Sequence, residues 1–184
     1  IWLVKDAAWV ELVPLGITGA PFMLRDFDHW KAYRASKLFT DLANGYEDKT
    51  RHKIVALTYY GERHVTANKD INKPEDMKGM RLRVPPAPLF LMFTKSVGAN
   101  ATPIAFAEVY LALQQGTVDG QENPLTVYTV AKLATAANQK YLTIWGYLAD
   151  PLIFVVNKEV WNSWTPEDRA IVKQAAIDAG KQEI

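Results

Sequence analysis

The chain contains no cysteine. That excludes a disulfide framework, thiolate metal sites and a cysteine nucleophile. An excess of charge of one sign is also missing. The 21 Lys and Arg residues stand against 20 Asp and Glu, a formal net charge of +1. Such a balance builds neither a polycationic face nor an acidic tail, so no nucleic-acid partner is expected. No run approaches the roughly 20 apolar residues of a membrane span, and no membrane insertion is expected. Histidine is scarce: His29, His52 and His64 are the only three. None stands at a metal-ligand spacing to another, so no metal and no cofactor is expected.

Catalytic motifs are absent as well. There is no G-x-S-x-G elbow, no Walker A lysine loop and no G-x-G-x-x-G. Glu108, Asp119 and Glu122 could be imagined as paired carboxylates for acid/base work. The plainer reading, solvated or capping carboxylates, is preferred. No catalytic residue is assigned and no enzyme is expected.

What is present is an ordinary globular composition. Of 184 residues, 49% are hydrophobic and 22% charged. This suffices for one domain with a real core or for two small lobes. The 6 Trp and 8 Tyr can line a pocket or fill a core. The chain opens on Ile1-Trp2-Leu3-Val4, which reads like the end of a buried strand. It closes on a helix running to Ile184. Both ends read as cut, and a piece of a longer protein is expected.

Local signals alternate between strand and helix. Residues 1 to 13 read as a strand followed by a short helical or turn segment. A helix capped by Asp28 is expected to reach about Asn44 and to end at Gly45. Lys53 to Tyr60 is a β-rich run, and Gly61-Glu62 is expected to turn the chain into a second strand from Arg63 to Asn68. Met80 to Val84 reads as a strand. Pro85, Pro86 and Pro88 feed a helix stopped by Gly98. A short strand near Thr102 to Ala105 precedes a helix over 106–115, ended by Gly116. Val118 to Glu122 is a strand, and Pro124 suits the first position of the next helix. Tyr141 to Tyr147 and Pro151 to Asn157 read as strands. Thr165-Pro166-Glu167-Asp168 carries a capping threonine, a proline at the first helical position and acids in the first turn. Short strands alternating with helices indicate an α/β architecture.

Three segments carry a resemblance. They are Gly61-Glu62-Arg63-His64-Val65-Thr66-Ala67-Asn68-Lys69, then Met77-Lys78-Gly79-Met80-Arg81-Leu82-Arg83-Val84-Pro85, then the long run from Pro103 to Gly116. The last continues through Val118-Asp119-Gly120-Gln121-Glu122-Asn123-Pro124. In order and spacing this closely resembles the dicarboxylate-type substrate-binding proteins of tripartite ATP-independent periplasmic (TRAP) transporters. The resemblance implies a periplasmic-binding-protein-like fold: two α/β lobes with crossing strands around a ligand cleft. It divides the chain at about 1–64 (remainder of the amino-terminal lobe), 65–150 (second lobe) and 151–184 (crossing back and a helical segment). It also implies that the first strands and helices and the closing helices of the family lie outside this chain.

The same resemblance suggests site residues. Arg83 matches the arginine that grips the ligand carboxylate in two-pronged fashion. A guanidinium fork suits that role, since it stays charged and matches a carboxylate bidentately. Arg81 points to the same face of an ideal strand, so alternation alone does not separate the two. Asn123 matches an asparagine that hydrogen-bonds the same carboxylate; it could equally cap the following helix. Arg63 resembles a second basic contact, or an internal salt bridge organising the hinge. Phe106 matches an aromatic against the ligand, or core. Trp145 and Tyr147 fall where the family places a variable pocket residue. Pro86 departs from relatives that carry a polar residue after R-V-P. Lys5 and Asp6 could edge the cleft.

The implied function is capture without chemistry. A receptor in the periplasm, its signal peptide removed, binds a small organic acid such as a sugar acid or dicarboxylate. Closed around it, the receptor, expected to be a monomer, docks on the integral membrane subunits of a TRAP permease. A module presenting an organic acid to a sensor kinase, or an enzyme on the same fold, are the alternatives; the second would need an acid/base or nucleophile constellation that is not found.

Overall fold

A computed structural model describes residues 2–3, 13–135 and 139–181. In chain order it shows β1 (Trp2–Leu3), α1 (Val13–Gly16), α2 (Phe27–Arg34), α3 (Lys37–Thr50) and β2 (His52–Ala67). There follow β3 (Arg81–Val84), α4 (Pro88–Ser96), β4 (Asn100–Pro103), α5 (Val109–Gln114), β5 (Gly120–Pro124) and α6 (Leu125–Val130). The chain ends in β6 (Tyr141–Thr143), β7 (Ala149–Asn157), α7 (Lys158–Ser163) and α8 (Pro166–Lys181). Short 3-10 turns at Ile17–Gly19, Pro74–Met77, Phe106–Glu108 and Leu133–Thr135 link these elements. Lys5 and Asp6, with most of the segment read as strand and short helix before Pro14, lie outside the described residues.

Two compact units divide the chain. One holds the residues up to Gly61 and from Leu148 onward; the other is Glu62–Tyr147. In the first unit, β1 pairs antiparallel with β7, Trp2 opposite Val155, and β7 lies next to β2. Its core gathers Leu15, Leu24, Trp30, Tyr33, Tyr46, Leu57, Ile153 and Val155. A further apolar cluster joins Val55, Ala56 and Val156 to Ala176 of α8.

The second unit holds a mixed sheet. β3 lies between β4 and β5, parallel to both, and β5 pairs antiparallel with the far half of β2. β6 pairs antiparallel with the same half of β2. Val109, Ala112 and Leu113 form one stripe of α5 at helical spacing and pack with Val118 and Leu133.

Some local expectations are corrected. Two helices, not one, occupy 27–50. Asp26, not Asp28, caps the first, accepting from the His29 N–H at 2.7 Å. Ser36 restarts the chain as cap of α3. Gly45 does not end that helix. The helix runs on to Thr50 and closes on Arg51 in the left-handed region, because burial of Tyr46 and Glu47 holds the next turn in place. Gly61 does not turn the chain either. It sits at φ +103°, a backbone region that glycine tolerates, inside β2, which runs on from His52 to Ala67. The 106–115 helix begins as a 3-10 turn, and only Tyr141–Thr143 of the expected 141–147 strand is in a ladder. The Thr165 cap is found as expected, its hydroxyl accepting from the Asp168 N–H at 3.1 Å.

Candidate functional site

All six residues suggested for the site lie in the Glu62–Tyr147 unit. Arg83 stands on β3, a strand with a neighbour on each edge, ended by Pro85 and Pro86. It is 1% exposed. Its Nε and one terminal nitrogen donate to the Ile104 carbonyl at 2.9 and 2.7 Å. Arg81, two residues earlier, is engaged differently. It forms an ion pair with Asp119 at 2.6 Å on the exposed side of the strand end. That hydrogen-bonded guanidinium holds the Asp119 carboxyl below the usual carboxylate range. The tie that alternation leaves between the two arginines is thus separated by burial.

Register then places Arg83 among partners. Arg83 is opposite Gln121 in the parallel β3–β5 ladder, and Thr66 is opposite Gln121 in the antiparallel β2–β5 ladder. Opposed residues share a face, and so do residues two apart. Arg83, Gln121, Asn123, Thr66 and His64 therefore share one face of this sheet.

Asn123 is buried and does not stand at the cap position of the following helix. The residue before α6 is Pro124, which has no side-chain cap bond. The Asn123 amide instead donates to Gln121 Oε1 at 2.5 Å and accepts from Arg63 at 3.2 Å.

Arg63 is fully buried, so its charge needs a close partner. Glu122 supplies it. The carboxylate binds Arg63 Nε through Oε2 and the terminal nitrogen through Oε1 at 2.7 Å, and the Glu122 carbonyl accepts at 2.9 Å. The guanidinium also lies over the Phe90 ring at 4.9 Å. Glu122 corrects an expectation: it is a buried ion-pair partner, neither solvated nor capping. Among the described residues no group of three His, Cys, Asp or Glu could hold a metal ion.

Tyr147 meets the same carboxylate. Its hydroxyl donates to Glu122 Oε2 at 2.5 Å, and its ring stacks on Phe93 at 4.2 Å. Trp145 packs edge-on against Phe93 at 5.4 Å. His64 holds the backbone of this aromatic pair. Its Nδ1 accepts from the Trp145 and Gly146 N–H groups at 3.1 and 3.0 Å. Burial lowers the His64 pKa, opposed in part by the Glu62 charge. Gly146 takes φ +63° here.

The structure thus joins Arg63 to Asn123 directly and to Tyr147 through Glu122, with Trp145 attached through Phe93. Phe106 is 43% exposed, two residues beyond the carbonyl that Arg83 holds. A cavity of about 230 Å³ borders Trp145, Ile71, Met77 and Ile144, but its lining includes neither Arg83 nor Asn123. Sequence reasoning missed Gln121, Thr66, His64, Phe90 and Phe93. The alternation of β5 offered a signal for Gln121, which shares the Asn123 face; the others depend on pairings distant in sequence.

This mixed α/β fold, with buried arginines in and beside a parallel ladder, is of the periplasmic-binding-protein type. The chain belongs to bacterial extracellular solute-binding protein family 7, which matches residues 1–184. It is similar to a TRAP periplasmic solute-binding protein from Ralstonia eutropha H16 with bound (S)-2-acetolactate. The two are 45% identical with a TM-score of 0.87, over 95% of this chain and 55% of that one. A Bordetella TRAP periplasmic solute-binding protein, with density assigned to pantoate, is 34% identical with a TM-score of 0.90, over 98% of this chain and 60% of that one. The sialic acid-binding periplasmic protein SiaP of Vibrio cholerae is 33% identical over 87% of this chain and 49% of its own length. The chain spans about half the length of the curated relatives it matches, 48% of one and 49% of another.

Proposed function

We propose that the chain is part of a periplasmic receptor that captures a small organic acid by its carboxylate and delivers it to the integral membrane subunits of a TRAP permease. One observation carries this reading. Arg83, a buried guanidinium, shares a sheet face with the Asn123 amide. A buried carboxylate is tolerable only where its charge is matched and its lone pairs are filled, and a fork beside an amide can do both.

Arg83 is the principal contact and Asn123 the second. Arg63 acts beside them, holding the Asn123 oxygen. Phe106, Trp145 and Tyr147 form the apolar wall that selects the rest of the acid. The acids named for the relatives, acetolactate, pantoate and sialic acid, support the class and leave its member open. The receptor works as a monomer outside the bilayer. Among the described residues no helix is long and apolar enough to cross a membrane.

A thermal-shift screen with acetolactate, pantoate, aldonates, uronates, sialic acid and C4-dicarboxylates tests this on the chain and on Arg83→Ala. A ligand at 100 times its Kd stabilises the folded state by about 2.7 kcal/mol. The expected result is a shift from one acid class that Arg83→Ala abolishes. An equal shift in the variant would remove Arg83 from the site.

A further inference from the structure

A row of buried side chains runs away from Asn123 and ends on the backbone. Arg63 donates to Asn123 Oδ1 at 3.2 Å, and Asn123 Nδ2 donates to Gln121 Oε1 at 2.5 Å. Gln121 Nε2 donates to Thr66 Oγ1 at 2.9 Å, and that hydroxyl donates to Gln139 Oε1 at 2.7 Å. Gln139 Nε2 donates to the Asp119 carbonyl at 3.3 Å. The five side chains are each no more than 4% exposed.

Every donor in this row points the same way. A guanidinium can only donate, so the Arg63 end is fixed as donor; a carbonyl can only accept, so the Asp119 end is fixed as acceptor. Each amide and the hydroxyl between has one orientation that satisfies both neighbours. Turning the Asn123 amide over would set its oxygen against Gln121 Oε1 and its N–H₂ against Arg63. Head-to-tail bonds in a low-dielectric interior polarise one another and strengthen the whole row.

We infer that Gln121, Thr66 and Gln139 are positioning residues that lock the orientation of the Asn123 amide, with Thr66 as the link that joins Gln121 to the acceptor end of the row. This rests on the reading of Asn123 as a carboxylate contact. The row keeps the Asn123 nitrogen toward Gln121 and its oxygen toward Arg63 before any acid arrives. The acid then meets a preset amide and does not have to order one, which is the general route by which preorganisation raises affinity.

The test replaces Thr66 by valine, which keeps the β-branched shape and removes both hydrogen bonds, and by serine, which keeps the hydroxyl. Thr18→Val is the control: Thr18 is equally buried, but its hydroxyl bonds the local Leu15 carbonyl, in the other unit. Two quantities are read on the full chain: the Asn123 side-chain amide resonance in a proton–nitrogen correlation spectrum, and the Kd for pantoate by calorimetry. In Thr66→Val the Asn123 resonance moves and pantoate binds roughly tenfold more weakly, the value of about one hydrogen bond. Thr66→Ser restores both, and Thr18→Val changes neither. An unmoved Asn123 resonance in Thr66→Val, with unchanged affinity, overturns the inference. Failure of the unsubstituted chain to bind pantoate counts against pantoate as its acid. The Asn123 resonance alone then upholds or overturns the row.

Discussion

The Tyr147 hydroxyl donates to Glu122 at 2.5 Å on a carboxylate that Arg63, 59 residues away in sequence, grips at the same time. Neither Arg63 nor Glu122 has any solvent exposure. Removing one member of such a pair leaves the other charge buried alone, and this costs about 3–5 kcal/mol. Glu122→Gln is expected to lose stability toward the lower end of that range, since the amide oxygen still accepts one bond. Tyr147→Phe removes the hydroxyl that bonds the charged Glu122 and is expected to lose about 2 kcal/mol. Urea denaturation of both variants checks the order. A smaller loss in Glu122→Gln than in Tyr147→Phe would show that the pair is not the keystone of this cluster.

His64 makes the stability depend on pH. Its Nδ1 can accept the Trp145 and Gly146 N–H groups only while unprotonated. Burial places its folded pKa below the ordinary value of 6.5. The charge that acts on it is Glu62, whose side chain lies against Gly146; across the strand the neighbour is the uncharged Asn123. The unfolded chain therefore binds the proton more readily. The contribution is complete above the unfolded pKa and is lost as pH falls through it toward the folded one. His64→Gln offers an acceptor that does not titrate. The denaturation midpoint of the parent is expected to fall more steeply than that of His64→Gln between pH 7 and pH 5.5. Parallel profiles would clear His64 of this role.

Two glycines are expected to respond to alanine with opposite signs. Gly45 lies inside α3, and an added Cβ meets nothing within 4 Å. Gly45→Ala should stabilise the chain by about 1 kcal/mol through helix propensity. At Gly120 an added Cβ would stand 2.4 Å from the Thr66 carbonyl oxygen. That oxygen is backbone in the β2–β5 ladder and cannot yield cheaply. Gly120→Ala is expected to cost about 1–3 kcal/mol, as overpacking does, and to weaken acid binding with it. Melting temperatures of the two variants moving in the same direction would contradict this account.

Local signals in the sequence were legible where the physics is local. The Thr165 cap, the proline entry to α4 and the glycine stop at Gly98 depend on groups within a few residues of one another, and they are found as read. The same reading fails at Gly45 and Gly61, since a glycine permits a break and does not compel one. At Gly45 the burial of the next turn wins; at Gly61 the strand continues on either side of the glycine.

The sequence by itself determined the α/β alternation, the family through three spaced segments, and the candidacy of Arg83 and Asn123. It could not rank Arg81 against Arg83, because period-two alternation treats them alike. Only tertiary structure put one beside Asp119 at the surface and the other inside the sheet. Nor could it assign Glu122, whose side chain has the same chemistry in water as in the core. What decided Glu122 was strand register: β5 laid against β2 sets a carboxylate beside Arg63, and burial makes that pairing obligatory.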